Sequence, residues 1–207
     1  MLRTFTIEGH TLVLLKKLQQ IPLFSELRLV GGTALALQLG HRNSIDLDFF
    51  GHLDVDHEIL AKELEIAGFE LQSMQGGKNI HQFSINGVKV DFVNYPYKWL
   101  KDTIITDGVR MAGLQDISAM KLSAITNRGT KKDFVDIYFL LQRFTLKELL
   151  DFYTEKYVNS SVFMVLRSLC YFDDAEEQPM PKMFISTEWA DIKTVIKESV
   201  RGFANQS

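Results

Sequence analysis

Asn86-Gly87 sits between two runs of alternating apolar residues, 80–85 and 88–93, a setting that demands a two-residue hairpin turn with both turn residues at positive φ. The middle of the chain is thereby committed to antiparallel strands. A third strand-like run, 69–74, is set off by Gly76-Gly77, and upstream the short apolar run Arg28-Leu29-Val30 enters Gly31-Gly32 and a helical stretch, 33–39. Residues 45–50 read as another strand, and 56–67 as a helix with Ile59, Leu60, Leu64 and Ala67 at helical spacing, stopped by Gly68. The hydrophobic period changes near residue 112. Beyond it the pattern is helical over 116–127, with Asp116 as a capping residue, then over 132–143, 146–157, 160–171 and 187–203, with 173–181 as a surface loop. The expected fold class is α+β, a mixed β-sheet with flanking helices over 1–112 followed by an α-helical unit over 113–207.

Composition narrows the function classes. The chain of 207 residues can bury a core without staples, and its 46% hydrophobic and 24% charged residues are ordinary for a globular protein. The lone Cys170 cannot form an internal disulfide, and no apolar run is long enough to span a bilayer, so a cytoplasmic, non-membrane protein is expected. The net charge of −3 argues against a chain that coats nucleic acid over its whole surface. Its distribution is uneven. Eight acids face one base, Lys62, between Asp46 and Glu70, whereas six bases face two acids between Lys121 and Lys147. Two solvated helix faces would give that pattern, and so would a metal-binding region followed by a polyanion-binding one.

Chemistry gathers in Val30-Gly31-Gly32-Thr33 and Asp46-Leu47-Asp48-Phe49, with thirteen residues separating Gly32 from Asp46. A Gly pair at a strand-to-helix turn lets a ligand approach the backbone, and the new helix offers free amides to an anion such as a triphosphate. Gly31, Gly32 and Thr33 thus read as a phosphate cradle. Asp46 and Asp48, two apart on a strand, share a face and favour a divalent cation that relieves their repulsion. Asp91, within Val88-Lys89-Val90-Asp91-Phe92, sits on a strand that can lie beside them, and three carboxylates can hold two magnesium ions. The five histidines have no partner at metal-ligand spacing, so zinc chemistry is not expected.

These residues resemble a known family. Gly-Gly at a strand-to-helix turn, Asp-x-Asp on the next strand and a third Asp later look like the nucleotidyltransferase fold of the DNA polymerase β superfamily. More closely, 30–35 with 40–50 resembles the first motif of the AbiEii/AbiGii toxin nucleotidyltransferases, with Gly32 where many members have Ser. Val90-Asp91-Phe92 is similar to the second motif. The run from Asp116 through Lys121, Ala124 and Arg128 to Asp133, Asp136 and Tyr138 is similar to the third and fourth. The resemblance covers about residues 28–142 and leaves the last 60 or so without a counterpart.

The residues of the later motifs also carry a reading of their own. Lys121 and Arg128, seven apart, share a helix face from which they can reach phosphates. Asp136 lies in a stretch apolar almost all round and needs a partner, for which Lys121 or Arg128 is the obvious choice. Such a pair can merely join two helices, or it can set Lys121 as a nucleotide contact positioned by Asp133 or Asp136; the resemblance implies that Lys121 and one of these acids are needed for activity. Arg42 and Ser44 can contact phosphates or orient Asp46, or be a solvated loop arginine and a local cap.

The expected reaction moves a nucleoside monophosphate from a nucleoside triphosphate to an acceptor hydroxyl, releasing pyrophosphate. Asp46, Asp48 and Asp91 would hold two magnesium ions, with manganese as a substitute, and Asp91 would activate the hydroxyl. The resemblance implies the toxin half of a bacterial type IV toxin–antitoxin or phage abortive-infection pair, with transfer RNA as an acceptor and a cognate antitoxin as a partner. A protein-modifying nucleotidyltransferase and a catalytically inactive nucleotide-binding module are the alternatives.

Overall fold

A computed structural model describes residues 1–205. These group into two compact units. The first comprises residues 1–38, 44–96 and 103–112; the second comprises 39–43, 97–102 and 113 onward.

In the first unit, α1 (Gly9–Leu18) precedes β1 (Arg28–Val30), which runs into α2 (Gly31–Leu39). There follow β2 (Leu47–Gly51), α3 (His57–Ile66), β3 (Leu71–Gly76), β4 (Ile80–Ile85), β5 (Val88–Asn94), β6 (Ile104–Thr106) and β7 (Val109–Met111). The strands form one mixed sheet in the order β3-β4-β5-β2-β1-β7-β6. β2 runs parallel to β5 and antiparallel to β1, and β1 runs parallel to β7. Alternation sets the faces: Leu47 and Phe49 on β2, with Val88, Val90 and Phe92 on β5, are buried, while Asp48, Lys89 and Asp91 are half-buried on the opposite face. Phe92 is the hub of the core, its ring stacked 4.6 Å from Phe24 and 5.5 Å from Phe49.

Asn86 and Gly87 have φ of 50° and 79°, the left-handed pair that a type I′ hairpin needs. A second hairpin of the same kind joins β6 to β7 through Asp107 and Gly108, at 52° and 78°. Its Asp-Gly signal is plain in the sequence, but strands of three residues are too short to show alternation. β2 begins at Leu47, so Asp46 stands just outside the strand expected over 45–50. The Asp46 carbonyl is taken by the Thr33 hydroxyl.

The second unit holds α4 (Leu114–Asn127), α5 (Lys131–Leu141), α6 (Leu146–Lys156), α7 (Val162–Leu169), α8 (Asp173–Glu176) and α9 (Trp189–Ala204). α4 packs against α5, α6 and α7, and α9 covers α5, α6 and α7. Two expectations are corrected here. The stretch 173–181 carries the short helix α8 rather than a bare loop. Asp116 is not a cap: Gly113 occupies that position, and Asp116 is fully buried in the first turn of α4. Its carboxylate accepts from the Leu100 amide at 2.9 Å, the Lys101 amide at 3.1 Å and Lys156 Nζ at 2.7 Å. Lys156 is itself sealed from solvent, donating also to the Lys98 carbonyl and lying 4.6 Å from the Trp99 ring centre.

Removing one member of such a pair leaves a bare buried charge, which costs about 3 kcal/mol or more. Lys156→Met is therefore expected to lower stability by about that amount in urea unfolding.

Candidate active site

In the first unit the site begins where β1 ends. Val30 is paired with Asp48, and Gly31 turns the chain straight into α2 at φ 67°. A side chain at Gly31 would collide with the Asp48 carboxylate. Glycine is thus required twice, by the backbone angle and by the carboxylate that fills the space a Cβ would take. Gly31, Gly32 and Thr33 make the first turn of α2, where amides lack intrahelical acceptors. The hydroxyls of Thr33 and Ser44, both buried, are hydrogen-bonded to each other at 2.8 Å, and Thr33 also donates to the Asp46 carbonyl. These side chains fix the backbone at Asp46.

One rung of the sheet carries the carboxylates. Across it lie Val30, Asp48, Asp91 and Gln82, on β1, β2, β5 and β4 in turn. Parallel partners project to the same face, so Asp48 and Asp91 stand side by side. Asp91 Oδ2 accepts from Gln82 Nε2 at 2.9 Å and from Lys89 Nζ at 3.1 Å. Asp91 Oδ1 is buried and has no hydrogen-bond partner among the described residues. Lys89 loses some hydration, but the Asp91 hydrogen bond and the charges of Asp91, Asp46 and Asp48 outweigh that and hold its ammonium pKa above the ordinary lysine value. Among the described residues no three His, Cys, Asp or Glu already form a metal-ready cluster. Adjacent hard oxygens, one of them buried and bare, are nonetheless the donor type that suits a divalent cation of the magnesium class.

The second unit contains a separate charged cluster. Asp136 is buried in α5, and four donors meet its carboxylate. Oδ1 accepts from Arg42 Nε at 2.7 Å and His41 Nε2 at 2.8 Å; Oδ2 accepts from Arg42 Nη2 at 2.8 Å and pairs with Lys121 Nζ at 2.6 Å. Burial opposes its charge, but Arg42 and Lys121 with these hydrogen bonds hold its pKa well below the usual carboxylate range. Asp133 receives Lys121 Nζ at 2.9 Å, the Arg128 guanidinium at 3.1 Å and the Thr130 hydroxyl at 2.6 Å, and against its burial these lower its pKa to about 2. Burial works against the Lys121 ammonium, and the two aspartates overcome it, raising its pKa.

Lys121 is thus the partner of Asp136 that the sequence called for, whereas Arg128 turns to Asp133. Arg42 is no solvated loop residue: it is buried, with its guanidinium on Asp136 and the Asn43 carbonyl. Its segment is clamped by residues 182–184, since the Asn43 amide donates to the Lys182 carbonyl and the Phe184 amide to the His41 carbonyl, both at 2.8 Å. His41 is the residue that sequence reasoning missed. Its spacing matches no metal-ligand pattern, and the signal in the sequence is its place beside Arg42 in the first motif. The basic stretch is also thinner at the surface than its composition suggests: Lys121 and Lys131 are buried, and Lys147 pairs with Asp151 at 2.7 Å.

The chain as a whole is similar to known proteins. Residues 13–197 match the family described as nucleotidyl transferase AbiEii toxin, type IV toxin–antitoxin system. The chain belongs to this family. A nucleotidyltransferase of the toxin class is therefore the setting of both clusters, and the resemblance seen in the four motifs holds over most of the chain. An uncharacterized protein of Aquifex aeolicus is 31% identical over 194 residues, covering 91% of this chain and 93% of that protein. Two solved structures share the fold. The nucleotidyltransferase toxin MenT4 of Mycobacterium tuberculosis superposes with a TM-score of 0.60 at 18% identity, covering 90% of this chain and 79% of that one. JHP933 of Helicobacter pylori gives 0.58 at 16% identity, covering 97% and 94%.

Two outcomes follow for this AbiEii-family chain. Gly31→Ala, strained at positive φ and pressed on Asp48, is expected to lower stability by about 2 kcal/mol and to abolish nucleotide transfer, read by thermal unfolding and a labelled-nucleotide assay. Asp133 has a lowered pKa, so its contribution is present above about pH 4 and lost as pH falls towards 2. Acid unfolding of wild type should lose about 2 kcal/mol over that window, and Asp133→Asn should flatten the slope there.

Proposed function

We propose that this nucleotidyltransferase transfers a nucleoside monophosphate from a nucleoside triphosphate to an acceptor hydroxyl in a magnesium-dependent reaction. The rung that sets Asp48 beside Asp91 and against Gly31 carries this reading. Asp46, Asp48 and Asp91 would hold two magnesium ions, with manganese able to substitute. Once bound, they would supply the charge neutralisation that a triphosphate and its departing pyrophosphate require. The protein's own groups supply the rest. Gly31, Gly32 and the Thr33 amide leave the backbone open to the phosphates at the start of α2. The Thr33 and Ser44 hydroxyls fix Asp46 for that approach. Asp91 accepts the proton of the attacking hydroxyl, whose oxygen bonds to the α-phosphorus as the bond to pyrophosphate breaks. Lys121 and Arg128 contribute phosphate or ribose contacts, set by Asp133 and Asp136, while Arg42 acts as a positioning residue.

The acceptor in this reading is RNA, with the 3′ end of transfer RNA as the expected site. The protein works as the toxin of a type IV pair in phage abortive infection, beside a cognate antitoxin in the cytoplasm. No helix among the described residues is long and apolar enough to cross a membrane. Burial of Lys121 and Lys131 thins the basic surface available to RNA and supports a second reading, in which a protein hydroxyl is the acceptor.

Incubation with each α-labelled ribonucleotide, magnesium and bacterial lysate separates these. Label is expected in RNA with wild type and absent with Asp46→Ala/Asp48→Ala or excess EDTA. Label in protein would select the second reading, and label persisting in the double variant would overturn the carboxylate assignment.

A further inference from the structure

Lys89 lies in the middle of the carboxylate site, yet the reaction just described gives it no part. It shares a strand and a face with Asp91, two residues on, and its ammonium is 3.1 Å from Asp91 Oδ2. Asp46 and Asp48 act on the same ammonium electrostatically. One cation thus pairs with Asp91 and lies in the field of the other two. Its side chain is 42% exposed, so the ammonium can leave for solvent without disturbing the core, whereas Asp91 is only 15% exposed and stays where it is.

We propose that Lys89 is an internal counter-cation of the site, neutralising the carboxylates until a divalent cation binds and giving way to it. The inference rests on the metal-dependent reading above. Gln82 gives the exchange its geometry. Reaching from β4, its neutral amide donates to the same Asp91 Oδ2 at 2.9 Å, so the carboxylate keeps its orientation when the ammonium departs. Charge and orientation are therefore supplied by different side chains. Oδ1, buried and without a partner among the described residues, is the oxygen left for the incoming cation. Without Lys89, Asp91 would lose its counter-charge beside Asp48, and the empty site would hold more uncompensated repulsion. With it, the metal must displace one positive charge, so affinity is lowered and binding is reversible.

Full-length wild type, Lys89→Met, Lys89→Arg and Asp48→Asn should be titrated with Mn²⁺ by calorimetry and melted in EDTA and in Mn²⁺. Lys89→Met is expected to bind Mn²⁺ about tenfold more tightly than wild type, the order expected for removing one partly exposed like charge. It should also melt several degrees lower in EDTA and recover in Mn²⁺. Lys89→Arg should match wild type in both, and Asp48→Asn should bind weakly. Unchanged or weaker Mn²⁺ binding by Lys89→Met overturns the proposal and leaves the metal-dependent reading intact. So does unchanged binding with a raised KM for the nucleotide, which would make Lys89 a phosphate contact. Absence of Mn²⁺ binding from wild type and every variant overturns the metal-dependent reading together with the proposal.

Discussion

A carboxylate taken out of water has to be met by charge, and Asp136 is met by Arg42, Lys121 and His41 together. Arg42 approaches in bidentate fashion, the geometry that suits a planar guanidinium and that lysine cannot reproduce. Lys121 is shared with Asp133, which binds Arg128 in turn, so four cationic or ionisable donors and two acids form one network in the second unit. The placement of α4, α5 and residues 39–43 follows from satisfying it. A network of this kind does not raise stability above that of a well-packed apolar core, because desolvation offsets most of the attraction. Its effect is on uniqueness: an arrangement that strands any one of these charges is costly.

The first unit solves a different problem, which is to keep like charges close together. Asp48 and Asp91 are neighbours because β2 and β5 run parallel in a fixed register. That register is held by Leu47, Phe49, Val90 and Phe92 on the buried face, and a slip by one residue would exchange the apolar and acidic faces. Hydrophobic burial on one side of the sheet thus maintains an electrostatically unfavourable pairing on the other. The family to which the chain belongs fits that division of labour, with the apolar pattern fixing the scaffold and a few polar residues fixing the chemistry.

What could be read in the sequence were features whose partners are near in the chain. The Asn86-Gly87 turn, the Gly31 turn and the helices of the second unit are local, and each has a local cause. Asp136 announced its burial through its apolar neighbours, and Lys121 as its partner lay one helix away. His41 and Arg42 did not announce themselves, because their partner is 95 and 94 residues distant and nothing near them in sequence requires an acid. Asp116 misled for the same reason: an Asp near a helix start has a common local use, and the contact that overrides it comes from Lys156, 40 residues on. The hairpin at Asp107-Gly108 was legible in its turn but not in its strands, whose three residues are too few to carry a period.

Residues 39–43 belong with the helical unit although they are made before most of the sheet. On the ribosome, Arg42 emerges long before Asp136, and the carbonyl of Lys182 that clamps Asn43 comes later still. Until Asp136 is made, Arg42 and His41 lack the acid that takes them out of water. The order of manufacture is thus the reverse of the order of closure: a chain broken off before residue 136 carries Arg42 and His41 without their acid, and one broken off before 182 lacks the backbone clamp on Asn43.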